Sequence, residues 1–304
     1  MQRIILLCVL CISMDSISAC NICACTSMGN NLGILPKFRS HFIGVRQTYR
    51  SFSSTHPVSI LNPEGGESKE TYYNSELWGR WSPLKRLQIF GFLPFNTFQR
   101  TEQNKQTQIQ GLGDASLLAT YIVLNTGDSA GKGFRHALLA GAGAKLSTGK
   151  YDPAQFAGFQ LGSGANDALV NLSYTLRYKS VGIMGEGNYQ VCGTNSSHYR
   201  YGNKASVSGR VFSMSTFSKT TFLPYAGVQM ELSGSDRLNG KAQDYTGGKA
   251  TYVSLGADLY KGRFQLGASA HMPLRQTLGD GQITAYPRLQ MMLVYHFRSK
   301  TNCE

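Results

Sequence analysis

From residue 40 onward the apolar residues of this chain recur at every second position, not every third or fourth. Side chains of a strand point alternately to opposite faces, whereas a helix repeats every 3.6 residues, so this alternation restricts the chain to sheet. Tyr73, Ser75, Leu77, Gly79 and Trp81 alternate with Tyr72, Asn74, Glu76, Trp78 and Arg80. Leu87, Ile89, Gly91, Leu93 and Phe95 alternate with Gln88, Phe90, Phe92, Pro94 and Asn96. Val181, Ile183 and Tyr189 share a row opposite Met184, Glu186 and Gln190. Twelve such segments are predicted, at about 41–52, 71–81, 87–98, 110–124, 136–148, 168–178, 181–191, 203–213, 221–233, 250–260, 263–273 and 286–297.

A two-sheet sandwich alternates in the same way, so the connections have to decide. Lys179-Ser180 and Lys261-Gly262 are two-residue hairpin turns, and 82–86 is another short one. The connections between them in order are long, polar and glycine-rich, as at 54–69 and 233–249. Short turns at one end, long loops at the other and strands of about eleven residues describe an all-β, antiparallel transmembrane β-barrel of about twelve strands, with short periplasmic turns and long outer loops. Composition agrees. Charged residues are 15% of the chain, against about 25% in soluble domains. With 16 Tyr and 15 Phe the chain is not a disordered one. After the first dozen residues no apolar run approaches the length of a membrane helix.

The start of the chain reads as an export signal: basic at Arg3, apolar over 4–12, then small residues up to Ala19. A cut after Ala19 leaves Cys20 first. The string ISAC at 17–20 also resembles a lipobox, in which Cys20 is lipidated; both readings take the mature chain out of the cytoplasm. The predicted organisation is a signal at 1–19, a Cys-rich cap or plug segment at 20–40, a barrel at 41–297 and a tail at 298–304. The last strand carries the apolar row Leu289, Met291, Leu293, Tyr295 and Phe297. It ends in an aromatic residue, as signals read by the barrel-assembly machinery do.

If the apolar rows meet lipid, the other rows line the lumen. They hold Arg46, Arg50, Arg80, Lys145, Arg177, Arg210 and Arg288 against Glu76, Asp114, Glu186, Glu231 and Asp258. Such a set either makes a weakly anion-preferring channel wall or pairs across the lumen and fills it. Phe90 and Phe92 also face inward, as filler or as a surface for an apolar solute.

Four phrases stand in order along the chain: IFGFLPFNTF from Ile89, GLGDASLLATY from Gly111, GAGAKLSTGKYD from Gly141 and LGSGANDALVNLSY from Leu161. Together they resemble a family of outer-membrane β-barrel transporters that includes proteins named for phenol-degradation pathways and is distantly similar to long-chain fatty-acid channels. The family's usual GxKLPTGK has Ser147 in place of proline here. The start of the mature chain, with CxxCxC and GILPKF, is similar to a subgroup opening with CxxCxC. The resemblance covers about 20–297. It implies an outer-membrane channel of a gram-negative bacterium, with lipid, the barrel-assembly machinery and a small solute as partners and no nucleic acid.

Cys20, Cys23 and Cys25 follow the predicted cut directly. Three thiols so close together suit a soft metal such as copper, or disulfide exchange, with Met28 and His41 as further ligands. An exported chain also holds cysteines as disulfides, for which Cys303 would be near, so a closed barrel that handles metal at the surface stands beside the channel. Cys192 reads as a packed thiol. No nucleophile-elbow, zincin or P-loop motif is present in the sequence, and the six His are scattered, so an enzyme is not expected. If the thiols hold metal, elemental analysis of purified protein will find copper or zinc that a Cys20→Ser, Cys23→Ser, Cys25→Ser variant lacks; equal metal in both would end the idea.

Overall fold

The computed structural model describes residues 40–56, 66–103, 105–126, 133–155 and 157–298. The predicted signal, the thiols Cys20, Cys23, Cys25 and Cys303, and Met28 lie outside the described residues. The chain forms a closed, antiparallel 12-strand barrel. Its strands are β1 (Ser40–His56), β2 (Gly66–Leu84), β3 (Leu87–Glu102), β4 (Lys105–Leu112 and Ser116–Asn125), β5 (Phe134–Lys145) and β6 (Asp167–Tyr178). They continue as β7 (Val181–Val191), β8 (Lys204–Ser213), β9 (Thr220–Ser233), β10 (Gly248–Lys261), β11 (Phe264–Leu278) and β12 (Arg288–Arg298). Each pairs with its neighbours in sequence. The sheet closes where β12 pairs with β1, from Ser40↔Arg298 to Tyr49↔Leu289.

The rows read from the sequence take opposite sides of this sheet. Leu77, Leu172, Ile183, Leu255, Leu266 and Leu293 face outward and are exposed, while Asn74, Trp78, Asn171, Met184, Ser254 and Val294 face inward and are buried. This is the inverse of a soluble barrel, in which the apolar row would fill the interior. The short turns and both ends of the described barrel lie at one end, here called the turn end. The connections 146–166, 192–203 and 234–247 lie at the other, the loop end.

Two expectations need correction. The third and fourth strands are not joined by a long polar loop. β3 and β4 run on as a paired hairpin to Glu102↔Lys105, beside Gln103 in the left-handed region at φ 44°. Beyond the predicted strand end at Phe98, the alternation of Gln99 and Thr101 with Arg100 and Glu102 was polar enough to read as loop, yet the backbone ladder continues through it. β4 is also interrupted at 113–115, where Gly113 donates its N–H to the Pro94 carbonyl and Ala115 takes up the Thr148 hydroxyl. With β1 and β2 extended as well, β1–β4 rise as a wall beyond the start of β12, and a short strand at Ile283–Ala285 pairs with the projecting part of β1.

Gly143 in β5 has no room for a side chain. A Cβ there would overlap the Leu117 carbonyl oxygen and lie 2.8 Å from Leu118 Cα, both backbone atoms of β4. Gly185 in β7 has open space around the same position. Gly143→Ala therefore forces β4 and β5 apart, at the upper end of the ~1–3 kcal/mol of overpacking, and Gly185→Ala does not. Urea unfolding of the refolded barrel in detergent, followed by tryptophan fluorescence, checks this: the midpoint falls for Gly143→Ala only, and equal midpoints contradict the close approach.

Candidate functional site

At the loop end, three of the sequence phrases meet in one buried polar clip. Asp114 stands at the break in β4, Lys145 at the end of β5 and Asp167 at the start of β6. The Lys145 Nζ sits 2.9 Å from Asp114 Oδ2 and 2.8 Å from Asp167 Oδ2, and also donates to the Ser163 hydroxyl. Asp114 in turn accepts from the backbone N–H groups of Ser163 (2.8 Å) and Gly149 (3.0 Å). Asp167 accepts from Gln190 (2.5 Å) and from the Gly193 N–H (2.9 Å). Asp114, hydrogen-bonded to backbone at both ends of the loop 146–166 and tied through Lys145 to Asp167, fixes where that loop leaves and re-enters the wall.

Between those anchors the loop crosses the mouth. Phe159 lies in a buried cluster with Phe52, Tyr72, Phe98, Tyr252 and Leu278, which come from β1, β2, β3, β10 and β11. Its ring is 6.3 Å from that of Phe98. The hydroxyls of Tyr72 and Tyr201 donate to the successive carbonyls of Gly158 (3.3 Å) and Ala157 (3.0 Å) just before Phe159. A small sheet of Tyr199–Arg200, Arg237–Leu238 and Lys241–Ala242 knits the other two loops beside it. There the Tyr199 hydroxyl donates to Asp236 at 2.6 Å, and the Gly202 N–H donates at 2.7 Å. Burial pushes the Asp236 carboxyl above its ordinary range, against those two donors. A carboxyl raised on folding contributes stability at low pH that is lost as pH rises and Asp236 ionises, because the buried charge costs more than the two donors return. Cys192 is buried here, its thiol against the Gly202 carbonyl at 3.3 Å.

Below the cap the inward charges form a belt. Arg46 and Glu76, register partners on β1 and β2, join at 2.5 Å, and the Arg46 guanidinium lies 4.5 Å from the Trp78 ring centre. Arg288 on β12 reaches across two strands to Glu231 on β9, with both nitrogens bonded, at 2.8 and 2.9 Å, and stacks over Tyr252. Asn171 and Asn188 donate to Glu186, and Arg210 lies over Tyr225. Toward the turn end one wall becomes aromatic: Phe42, Trp78, Phe90, Phe92, Leu118 and Val294 pack together. Met184, Phe212, Leu223 and Tyr260 form a second apolar group on the other wall.

Of the residues predicted to line the lumen, Arg46, Arg50, Glu76, Arg80, Asp114, Lys145, Glu186, Arg210, Asp258 and Arg288 are buried on the inward side, and Arg177 and Glu231 are partly buried there. The structure brings Arg46 to Glu76, Lys145 to Asp114 and Arg288 to Glu231, and Arg80 to the Ser40 carbonyl at 2.8 Å. It does not bring them into one cluster. Asp167, Ser163 and Phe159 were missed. Asp167 sat in the quoted phrase LGSGAND, just before the predicted strand. Phe159 shares its glycine-rich loop with Tyr151 and Phe156, and nothing in the sequence singled it out from them. Among the described residues, no three His, Cys, Asp or Glu side chains are grouped to hold a metal ion.

No family model and no curated protein matches the chain. The barrel is similar to the solved structure of an outer membrane channel from Pseudomonas putida F1, with a TM-score of 0.60 and 17% identity over 85% of this chain and 96% of that one. Fainter likenesses are to the β domain of the Bordetella autotransporter BrkA (TM-score 0.48, 12% identity, 85% of this chain and 100% of that one) and to the translocator domain of the autotransporter NalP from Neisseria meningitidis (0.43, 13%, 84% and 88%). None is more than a likeness of fold.

Replacing Lys145 with Met leaves two carboxylates buried without their cation, a loss of about 3–5 kcal/mol when one partner of a buried pair is removed. Trypsin cleavage at Lys150, exposed on the loop, is then at least a hundredfold faster, while the strands stay protected. An unchanged rate would show that the clip does not hold the loop.

Proposed function

We propose that the chain is an outer-membrane channel of the transporter family it resembles, through which a small polar or amphiphilic solute passes along the belted wall of the lumen. In this reading the turn end faces the periplasm, the loop end faces outward, and the loop 146–166 is the gate. What supports it is a set of buried, inward atoms that find no hydrogen-bond partner: Thr120 Oγ1, Ser254 Oγ, Asp258 Oδ1 and His271 Nδ1. Buried polar groups nearly always have a partner, and in a dry scaffold each of these would be a cost. These atoms are closed off from the lumen as the chain stands, so the missing bonds form only when the packing beside them opens, as passage of a solute requires.

A second reading, a closed scaffold in the same membrane, is favoured by Phe159 across the mouth and by the aromatic packing at the turn end. The thiols Cys20, Cys23 and Cys25 belong to both readings as a soft-metal or redox segment on the periplasmic side, and their support is the CxxCxC spacing alone. Planar-bilayer recording separates the two. The channel reading predicts small, fluctuating currents from the intact protein and severalfold larger, steadier ones when 153–160 are replaced by a short Gly-Ser linker. Silence from the intact protein, the loop variant and a variant lacking 20–39 would leave the scaffold.

A further inference from the structure

The two ends of the barrel differ in charge. At the loop end both signs are mixed: among the described residues seven exposed cations, from Lys69 to Arg275, stand with exposed Glu67, Asp244 and Asp280. At the turn end four of the five connections carry an exposed cation. Lys85 and Arg86 join β2 to β3, Lys179 joins β6 to β7, Lys219 lies between β8 and β9, and Lys261 and Arg263 flank the turn from β10 to β11; all six are exposed. Arg135 stands at the start of β5, after the remaining connection. Among the described residues no Asp or Glu is exposed at this end. The nearest, Asp258, faces the lumen and is 2% exposed.

Each cation has an outward aromatic residue just on its membrane side: Trp81, Phe134, Tyr178, Phe217 and Phe264 are all exposed. Two contacts tie the layers together. Lys179 Nζ lies 5.3 Å from the Tyr178 ring centre, and Arg263 donates to the Tyr295 hydroxyl at 3.1 Å. A ring of one sign repels itself in water, and aromatic rings belong at the level of the lipid headgroups. The combination places the cations where headgroup phosphates would be.

We infer that the turn end is a binding ring for anionic glycerophospholipid, with the aromatic layer seated at the acyl boundary and the cations on the phosphates. This rests on the membrane-barrel reading, and the chain provides a probe that tells the two apart. Of its two tryptophans, Trp81 is outward beside Lys85 and Arg86, whereas Trp78 is buried in the lumen. The full chain is refolded into phosphatidylcholine vesicles in which either phosphatidylglycerol or part of the phosphatidylcholine is brominated, and quenching of Trp81 is measured. The ring predicts an association of phosphatidylglycerol about fivefold above that of phosphatidylcholine, reduced by salt. The preference is abolished by joint substitution of Lys85, Arg86, Lys179, Lys219, Lys261 and Arg263 by Gln. A Lys85→Gln, Arg86→Gln variant, with least risk to assembly, loses most of it at Trp81. Equal quenching by the two lipids, or a preference that survives neutralisation, overturns the ring and leaves these cations to an acidic protein. No quenching by either lipid would instead sink the membrane barrel itself.

Discussion

The ladder between β1 and β12, from Ser40↔Arg298 to Tyr49↔Leu289, is the interaction on which the rest depends. A sheet whose outer face is apolar has no stable home in water. In hydrocarbon it cannot leave a row of unpaired N–H and C=O groups along an edge. Joining the first strand to the last removes that edge. Only then does it make sense for Leu77, Leu172, Leu255 and Leu293 to point away from the protein and for Arg46, Glu76 and Arg288 to point into it.

Once the sheet is closed, the interior inherits the polar row, and the structure deals with those charges in layers. The belt pairs them locally, as in Arg46 with Glu76, or across strands, as in Arg288 with Glu231. At the loop end Lys145 serves two carboxylates, and through Ser163 and Gly149 it also positions the loop 146–166. Phe159 then crosses the mouth to pack against rings on the arc of wall around the β12–β1 seam. Closure of the mouth thus rests on one loop held by one cation.

Much of this was legible in the sequence. Period-two rows with two-residue turns at Lys179-Ser180 fix strand direction and which residues face inward, because a strand has only two faces. The inward placement of Phe90, Glu186 and Arg210 follows from counting alone. What counting does not supply is partnership. Arg288 and Glu231 belong to strands that are not neighbours, and their meeting depends on the curvature of the closed barrel. The β3–β4 hairpin was hidden because its rows are polar on both sides, where alternation carries no signal. Phe159 was hidden because a loop has no period to place it. The thiols lie where only their spacing speaks.

The charge asymmetry lies in the acids: among the described residues exposed cations stand at both ends, while every exposed Asp or Glu lies at the loop end and the rest are buried or half-buried. All of it presumes a closed barrel embedded by its apolar face. Migration of the detergent-refolded chain on a gel, with and without boiling, tests that most directly. A closed barrel of this kind runs as a compact, fast species unboiled and shifts to its full apparent mass on heating. A single heat-insensitive band, from a chain that also stays in solution without detergent, would contradict it.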